Sequence, residues 1–231
     1  MIITFCGLIG SGKDTAADYL VSNHGFVRDS FAASLKDAVS HIFGWDRNLL
    51  EGRTAEARAW REEVDSWWAN RLGIAELTPR WILQHWGTEV CRIGFHKDIW
   101  VASLENRLRN SKNNIVITDV RFPNEIKAVH NLGGYVIRIK RGDDPSWYKH
   151  AVAINQLPKE DPQWAVSSEY IRNLGIHLSE TSWVGSSIDV VIPNNGTIAE
   201  LYANIGSMIK DLELNHLAST TPFEKIIVSD N

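Results

Sequence analysis

The sequence predicts an α/β fold of three layers, α/β/α, in which helices cover both faces of a parallel central sheet. Short apolar segments alternate along the chain with longer segments of helical periodicity, which is the order typical of a parallel sheet. The clearest strand, residues 114–118, has an unbroken apolar centre, as a strand buried on both faces requires. The chain has 231 residues, which is enough for one domain with a substantial core.

The first elements follow from local pattern. Residues 1–6 form an apolar run that predicts the first strand, and a helical pattern follows over residues 13–23. A short second strand is predicted around residues 26–29. The next helix is predicted over residues 34–43, because its apolar residues share one face, and Gly44 ends it.

Three further helices are predicted before the central strand. A charged, tryptophan-rich stretch over residues 54–72 is predicted to be one helix ending at Gly73. Thr78-Pro79 is a preferred pair of N-cap and first helical residue, and it opens a helix to about residue 93. The third helix is predicted over residues 98–109.

The second half of the chain continues the alternation. Pro123 opens a helix ending at Gly133, and strands are predicted over residues 135–139 and 188–192. Between those strands, residues 142–182 have poor periodicity and three prolines, which predicts a long irregular insertion acting as a lid or binding loop. A last helix is predicted to reach about residue 214, with a loosely attached tail beyond it.

The most informative motif is Gly7-x-x-x-x-Gly12-Lys13, which lies between the first strand and the first helix. Glycines let backbone N–H groups approach phosphate oxygens, and the helix N-terminus adds unpaired N–H groups. Lys13 can then reach the β- and γ-phosphates of a nucleotide, so a P-loop is predicted. Asp14 stands where Ser or Thr usually contacts Mg²⁺, so that contact is expected to shift to Thr15 or to be supplied differently.

Composition excludes several classes. The net charge of −4 gives no electrostatic reason to expect a nucleic-acid partner. Cys6 and Cys91 form no CxxC motif, so neither a disulfide framework nor a zinc site is indicated. The sequence shows no signal peptide and no apolar run of the roughly 20 residues that a membrane span needs, so a cytoplasmic location without membrane contact is expected. The ten tryptophans are expected mainly to pack.

Four features are predicted to meet at the carboxyl ends of the strands, where open parallel sheets bind ligands. They are the P-loop, Asp119 with Arg121, the basic group Arg138, Lys140 and Arg141, and the turn Asn194–Thr197. Asp119 is expected to be the acid beside the metal, with capping of the next helix as the alternative. Arg121 can clamp a phosphate, with a solvated surface arginine as the alternative.

The helix opened by Thr78 carries a candidate binding face. Arg80, Gln84, Thr88 and Arg92 follow one another at four-residue steps, a drift of about 40° per step that keeps them on one broad face. Two arginines, an amide and a hydroxyl suit a ligand that combines a phosphate with a base, and Lys36 can join them. An amphipathic helix with a polar outer side is the alternative.

His177 and Glu180 form a His-x-x-Glu pair, which without further ligands is weak evidence for zinc. We favour a place in the lid for this pair. Lys149 and Arg172 are available there to move towards bound phosphate.

Five segments in chain order then resemble one family. They are the loop and helix over residues 7–18, Phe31-Ala-Ala-Ser-Leu-Lys-Asp-Ala38, Leu83-Gln-x-x-Gly-Thr88-Glu, Asp119-Val-Arg121 with Glu125, and Asn195-Gly-Thr-x-x-Glu-Leu201. Together they resemble the phage deoxynucleoside monophosphate kinases, within the nucleoside-monophosphate kinase branch of the P-loop kinases. Asp14 after the P-loop lysine is usual in this family. The Trp-rich residues 54–77 and the 142–182 insertion match less well.

The resemblance implies transfer of the γ-phosphoryl group of ATP, with Mg²⁺, to a deoxynucleoside monophosphate in DNA precursor synthesis. It implies a cytoplasmic enzyme, in the host cytoplasm if phage-encoded, and leaves a homodimer open. The expected catalytic residues are Lys13, Asp119, Arg121 and Arg141, and the expected metal-side residues are Asp14, Thr15 and Asp119. The expected ATP-binding residues are Gly7, Gly10, Ser11, Gly12, Lys13, Asp14, Thr15, Asn194, Asn195, Gly196 and Thr197. The expected acceptor-binding residues are Lys36, Arg80, Gln84, Thr88 and Arg92.

One kinase domain over residues 1–231 is therefore expected, with a helical acceptor-binding insertion and a lid. Its parts are a core (1–30, 112–141 and 186–214), an acceptor-binding helical region (31–111), a lid-like insertion (142–182) and a C-terminal tail (215–231).

Three other functions stay open. One is a P-loop kinase of another small acceptor, such as dephospho-coenzyme A or phosphomevalonate. Another is a regulatory module that binds nucleotide without turnover. A nucleic-acid ATPase motor is the third, which the acidic charge disfavours.

Overall fold

The computed structural model describes residues 1–109 and 111–220, and side chains as far as residue 214. Its centre is a five-stranded sheet in the order β2-β3-β1-β4-β5, in which every neighbouring pair is parallel. The strands are β1 (Ile2–Cys6), β2 (Val27–Asp29), β3 (Ile115–Ile117), β4 (Tyr135–Lys140) and β5 (Val190–Pro193). The predicted parallel sheet, all five strands and the α/β/α layering are confirmed.

The described helices alternate with the strands. The first six are α1 (Lys13–His24), α2 (Ala33–Phe43), α3 (Arg47–Glu51), α4 (Ala55–Trp60), α5 (Ser66–Leu72) and α6 (Pro79–His85). A π-helix, Trp86–Ile93, continues directly from α6. The others are α7 (Ile99–Leu108), α8 (Pro123–Asn131), α9 (Tyr148–Gln156), α10 (Pro162–Asn173), α11 (Leu178–Thr181) and α12 (Ile198–Thr220).

Alternate residues of the strands supply two separate cores. On one face, Ile3 and Phe5 of β1 pack with the helices α1 and α12, including Leu20 and Ile205. On the other face, strand residues such as Ile117 pack with α7, α8 and the segment around Trp183. Because successive side chains of a strand point to opposite faces, one apolar strand serves both layers.

A third core lies among α2 to α6 and contains most of the tryptophans. Phe43 stacks on Trp45 at 4.5 Å between ring centroids, and Trp68 and Trp86 meet Phe43 edge-on. The Trp45 indole N–H donates to Asp65, so its one polar atom is satisfied. These tryptophans pack, as expected from the sequence.

The predicted single helix over residues 54–72 is wrong, because the chain forms two helices there. Asp65 caps the second one by accepting a hydrogen bond from the Trp68 backbone N–H, and Trp45 donates to the same carboxylate. A further short helix, α3, was not predicted, although Asp46 caps it in the same way.

The predicted irregular insertion over residues 142–182 is also wrong, because it contains α9, α10 and α11. Pro162 occupies the first turn of α10, directly after the N-cap residue Asp161. Proline favours that position, since its missing N–H would have no partner there. Proline, which suggested an irregular segment here, therefore begins a helix.

The last helix is longer than predicted. α12 continues to Thr220 instead of ending near residue 214, so residues 215–220 of the predicted tail are helical. Residues 221–231 of that tail lie outside the described residues. In the part of the chain that is described, no helix combines the length and apolar character needed to cross a bilayer.

Candidate active site

The loop between β1 and α1 has a backbone path that only glycine tolerates well. Gly7, Gly10 and Gly12 have φ of +139°, +76° and +102°. A Cβ at Gly7 would collide with the Ile139 carbonyl oxygen, and one at Gly12 would lie 2.5 Å from Nδ2 of Asn194. The predicted glycine loop therefore winds tightly between β4 and the turn after β5.

The Lys13 ammonium closes this loop from inside. Nζ donates to the carbonyl oxygens of Gly7, at 2.9 Å, and Leu8, at 2.8 Å. Burial, together with the Arg121 charge, lowers the pKa of Lys13 to about 8, and Asp14 and Glu180 oppose the shift. A partly desolvated cation beside a second cation is a favourable place for phosphate.

Ser11 supplies another group without an internal partner. Its side chain is buried, and Oγ makes no hydrogen bond to any described residue. The Ser11 carbonyl accepts from the Asn194 side-chain amide at 2.8 Å. A buried orphan hydroxyl is costly unless a ligand or water satisfies it, so Ser11 fits the predicted phosphate-binding loop.

The turn after β5 lies beside the P-loop, as the sequence predicted. Besides the Asn194 contact, Oδ1 of Asn195 accepts from the Gly142 backbone N–H at 2.7 Å. Thr197 and Glu200 cap the start of α12 reciprocally, each side chain accepting from the other's backbone N–H. The turn is thus held rigidly at the edge of the loop.

Asp14 reaches the carboxyl end of β3. Its Oδ1 accepts from Arg28 at 2.9 Å and from the Thr118 hydroxyl at 3.0 Å, and the side chain is 70% exposed. Arg28 also binds Asp18 at 2.7 Å. Sequence reasoning missed Arg28 and Thr118, although both stand at or near the carboxyl ends of strands, which was the available signal.

Asp119, the expected acid beside the metal, binds backbone groups of another element. Its two carboxylate oxygens accept from the backbone N–H groups of Phe31 and Ala32, each at 3.0 Å. Asp119 therefore fixes the chain at the start of α2. It does not cap the next helix in sequence, α8, which was the alternative, because the N-cap residue of α8 is Phe122.

Arg121 lies at the site, as expected, and is held by two glutamates. Its Nη1 donates to Oε2 of Glu180 at 2.8 Å, and its backbone N–H donates to Oε2 of Glu125 at 2.7 Å. The side chain is 30% exposed and its charge acts on Lys13. Arg121 is therefore not an ordinary solvated arginine.

The expected binding face over residues 80–92 is not a single helical face. The α-helix changes to a π-helix at Trp86, so the angular step between residues changes part-way along. Arg80 and Gln84 are half-buried on α6, and Arg80 pairs with Glu62 at 2.8 Å. Thr88, on the π-helix, is buried.

The expectation that Arg92 binds the acceptor needs correction, because its side chain is buried and hydrogen-bonded inside the protein. Nη2 donates to Oε1 of Glu125 at 2.5 Å, and Nη1 donates to the Lys97 carbonyl and to Asn124. The guanidinium also lies 3.8 Å from the centroid of the Phe122 ring. This arrangement leaves little of the side chain for an acceptor phosphate.

The other basic residues singled out from the sequence are either paired with carboxylates or exposed. Lys36 pairs with Glu51 at 2.7 Å. Burial by itself would raise the Glu51 pKa, but Lys36 and Arg47 outweigh it and lower that pKa to about 2. Arg138 is held by Asp144 and lies over the rings of Tyr148 and Trp183. Within the described part of the chain, Lys140 pairs with Asp144, whereas Arg141, Lys149 and Arg172 are exposed.

Comparison with known proteins identifies the family. No family model matches the chain. A protein of Acanthamoeba polyphaga mimivirus named "Putative deoxynucleotide monophosphate kinase" is 30% identical over 223 residues, covering 90% of this chain and 96% of the relative.

Two solved structures also match, with low scores. Shikimate kinase from Aquifex aeolicus vf5 has a TM-score of 0.40 at 14% identity, over 94% of this chain and 99% of that one. A gluconokinase from Sinorhizobium meliloti 1021 has a TM-score of 0.37 at 14% identity, over 93% and 96%. These scores are too low to support an assignment, which rests on the mimivirus relative. By that relationship, the chain belongs to the deoxynucleotide monophosphate kinase family.

Proposed function

We propose that this kinase transfers the γ-phosphoryl group of ATP to a deoxynucleoside monophosphate and releases ADP and the deoxynucleoside diphosphate. The observation that carries the proposal is the Lys13 ammonium, which donates to the Gly7 and Leu8 carbonyls of a loop whose left-handed positions are all glycines. Family membership supports the substrate class.

The donor nucleotide is proposed to bind along the P-loop. Backbone N–H groups between Gly7 and Gly12, the orphan Ser11 hydroxyl and Lys13 meet the phosphates. The Asn194–Thr197 turn, which is bonded to the loop through Ser11, is proposed to lie beside adenine. Exposed Arg141, at the end of β4, is available to reach the transferred phosphoryl group.

The residues at the start of α1 suit Mg²⁺ bound mainly through phosphate and water. In the described residues, no cluster of three or more carboxylate, histidine or cysteine side chains could hold a metal by itself. Mg²⁺ in kinases commonly takes only one or two protein ligands, so it does not require such a cluster. We assign the metal side to Asp14, whose carboxylate is exposed, and to Thr15, with Asp119 fixing α2. Bound there, Mg²⁺ would neutralise charge on the β- and γ-phosphates.

The acceptor is proposed to bind against α2 and α6. Lys36 and Arg80 are the candidates for its phosphate, each now paired with a carboxylate that phosphate would have to displace. Gln84 is the candidate for the base, because its amide can both donate and accept. Thr88 lines the buried side, and Arg92 supports the site from within.

The chemistry then needs alignment and charge neutralisation more than covalent help. A phosphate oxygen of the acceptor attacks the γ-phosphorus as the bond to the β–γ bridging oxygen breaks, and that electron pair leaves with ADP. Lys13 and Arg121 stabilise the charge that spreads over the phosphoryl oxygens.

The test is an assay of ADP release with ATP, Mg²⁺ and each acceptor in turn. The acceptors are the common deoxynucleoside monophosphates, their ribose counterparts, dephospho-coenzyme A and phosphomevalonate, with ATP alone as the blank. Release that depends on a deoxynucleoside monophosphate, with the diphosphate identified as product, supports the proposal. Transfer only to another acceptor, or ATP binding without transfer to any of them, contradicts it.

A further inference from the structure

Helix α11, the last helix of the 142–182 insertion, contacts both sides of the candidate active site. Glu180 accepts from Arg121 at 2.8 Å. His177, the N-cap of α11, accepts the Ser179 backbone N–H at Nδ1, which leaves its Nε2 facing Oε1 of Glu89 at 3.6 Å. Glu89 belongs to the π-helix. α11 thus joins the acceptor-side helix to the strand end that carries Arg121.

Arg121 is held at two points by glutamates from different elements. Glu125, on the adjoining helix α8, is buried and binds the Arg121 backbone N–H. Glu180, from the insertion, binds the side chain through one guanidinium nitrogen. The arginine fork carries five N–H donors, so this single contact leaves others for phosphate.

The ion pair is sheltered enough to orient the guanidinium. The side chains of Arg121 and Glu180 are 30% and 20% exposed. A charge-assisted hydrogen bond in partial shelter fixes a long side chain better than the same pair in open solvent. Without it, Arg121 would sample several rotamers around the phosphate position.

We infer that Glu180 is a positioning residue for phosphoryl transfer, which holds the Arg121 guanidinium beside Lys13. The expected effect of Glu180 on turnover rests on the proposed function. The contact itself does not depend on which acceptor is used.

A double-mutant cycle tests the positioning role. Glu180→Gln should lower kcat roughly tenfold with a smaller change in KM for ATP, because orientation matters most in the transition state. In an Arg121→Ala background the same change should have almost no effect, since Glu180 acts through Arg121. Glu169→Gln, an exposed glutamate on α10 of the same insertion, makes the same chemical change and should behave as wild type. Wild-type kcat in Glu180→Gln, or equal losses in both backgrounds, would overturn the inference.

Stability measurements test the contact without turnover. In a double-mutant cycle of urea unfolding, Glu180→Gln should destabilise the wild type more than it destabilises Arg121→Ala, because the two side chains form one ion pair. Equal losses of stability in the two backgrounds overturn the contact, and they decide the question if the Arg121 variants are too slow to assay. If the wild type phosphorylates no deoxynucleoside monophosphate, the proposed function fails, yet this unfolding comparison still stands.

Discussion

The side-chain amide of Asn194 donates a hydrogen bond to the Ser11 carbonyl at 2.8 Å, across 183 positions of sequence. This contact ties the turn after β5 to the P-loop after β1. It also places Asn194 Nδ2 where a Cβ at Gly12 would project, 2.5 Å away. The turn and the loop therefore share one space, and changing either should change both.

Gly12→Ala tests that shared space. The new methyl group would displace Asn194, and the φ of +102° is unfavourable for any L side chain. We expect a loss of about 1–3 kcal/mol in the free energy of unfolding, together with weaker ATP binding. Urea unfolding and calorimetry with ATP measure the two effects.

The matched control for that change is Gly133→Ala. Gly133 also has a left-handed φ, of +71°, but a Cβ added there would meet no atom within 4 Å. The residue precedes β4, which runs parallel to β1, so it lies at the end of the sheet opposite the loop. This variant should lose some stability through backbone strain and keep its ATP affinity. Equal ATP affinities for the two variants would mean that Asn194 adapts freely.

Lys13→Ala should reduce kcat by roughly a hundredfold or more, because the lysine contact with phosphate strengthens in the transition state. The fold should persist, because Lys13 stabilises loop carbonyls and belongs to none of the apolar cores. Steady-state kinetics and a thermal melt measure both. Lys127→Ala, at an exposed position on α8, is the control for loss of one positive charge. Turnover of Lys13→Ala near the wild-type rate would refute the P-loop assignment.

ATP affinity should depend on pH through Lys13. Burial, with the Arg121 charge, lowers the pKa of Lys13 to about 8 in the free protein. Its charged form predominates below that pH and binds phosphate, so affinity should be highest there and fall as pH rises through about 8. Calorimetry from about pH 7 to about pH 9.5 keeps the ATP phosphates ionised throughout. A Lys13→Met variant should give a flat profile over that range, and a flat wild-type profile would contradict the shifted pKa.

Sequence alone predicted the features that depend on local pattern. The parallel sheet follows from unbroken apolar strands such as Ile115–Ile117, and the P-loop follows from glycine spacing before a helix. Both are decided by residues close together in the chain. That is why these elements and the gathering of Lys13, Arg121 and Asn194 at one sheet edge were predictable.

Side-chain partners were not predictable in the same way. Arg92 meets Glu125, 33 residues later, and Asp119 meets backbone groups 87 and 88 residues earlier. No sequence pattern near either residue predicts those contacts. The change from α-helix to π-helix at Trp86 likewise depends on packing, here including the Trp100 indole that donates to the Gly87 carbonyl.

Asp119→Asn should affect the start of α2 rather than metal dependence. An amide can accept from one of the Phe31 and Ala32 N–H groups, but its NH₂ would face the other donor. We expect a loss of about 1–2 kcal/mol in stability and an unchanged Mg²⁺ concentration for half-maximal activity. A Mg²⁺ titration of activity decides the point, with Asp14→Asn as the variant expected to need more metal. A large rise in the Mg²⁺ requirement of Asp119→Asn alone would restore the metal role predicted from sequence.

Arg92 offers the sharpest contrast between a binding role and a supporting one. Its guanidinium pairs with Glu125, whose pKa burial raises to about 7 although the Arg92 charge opposes that shift. Arg92→Ala would leave Glu125 buried without its cation and should cost about 3–5 kcal/mol of stability. Arg92→Met with Glu125→Gln removes both charges and should cost less, because no lone buried charge remains. Urea unfolding and KM for the acceptor should be measured on both proteins. A stable Arg92→Ala protein with a KM raised about tenfold for the monophosphate alone would instead mean that Arg92 binds the acceptor phosphate directly.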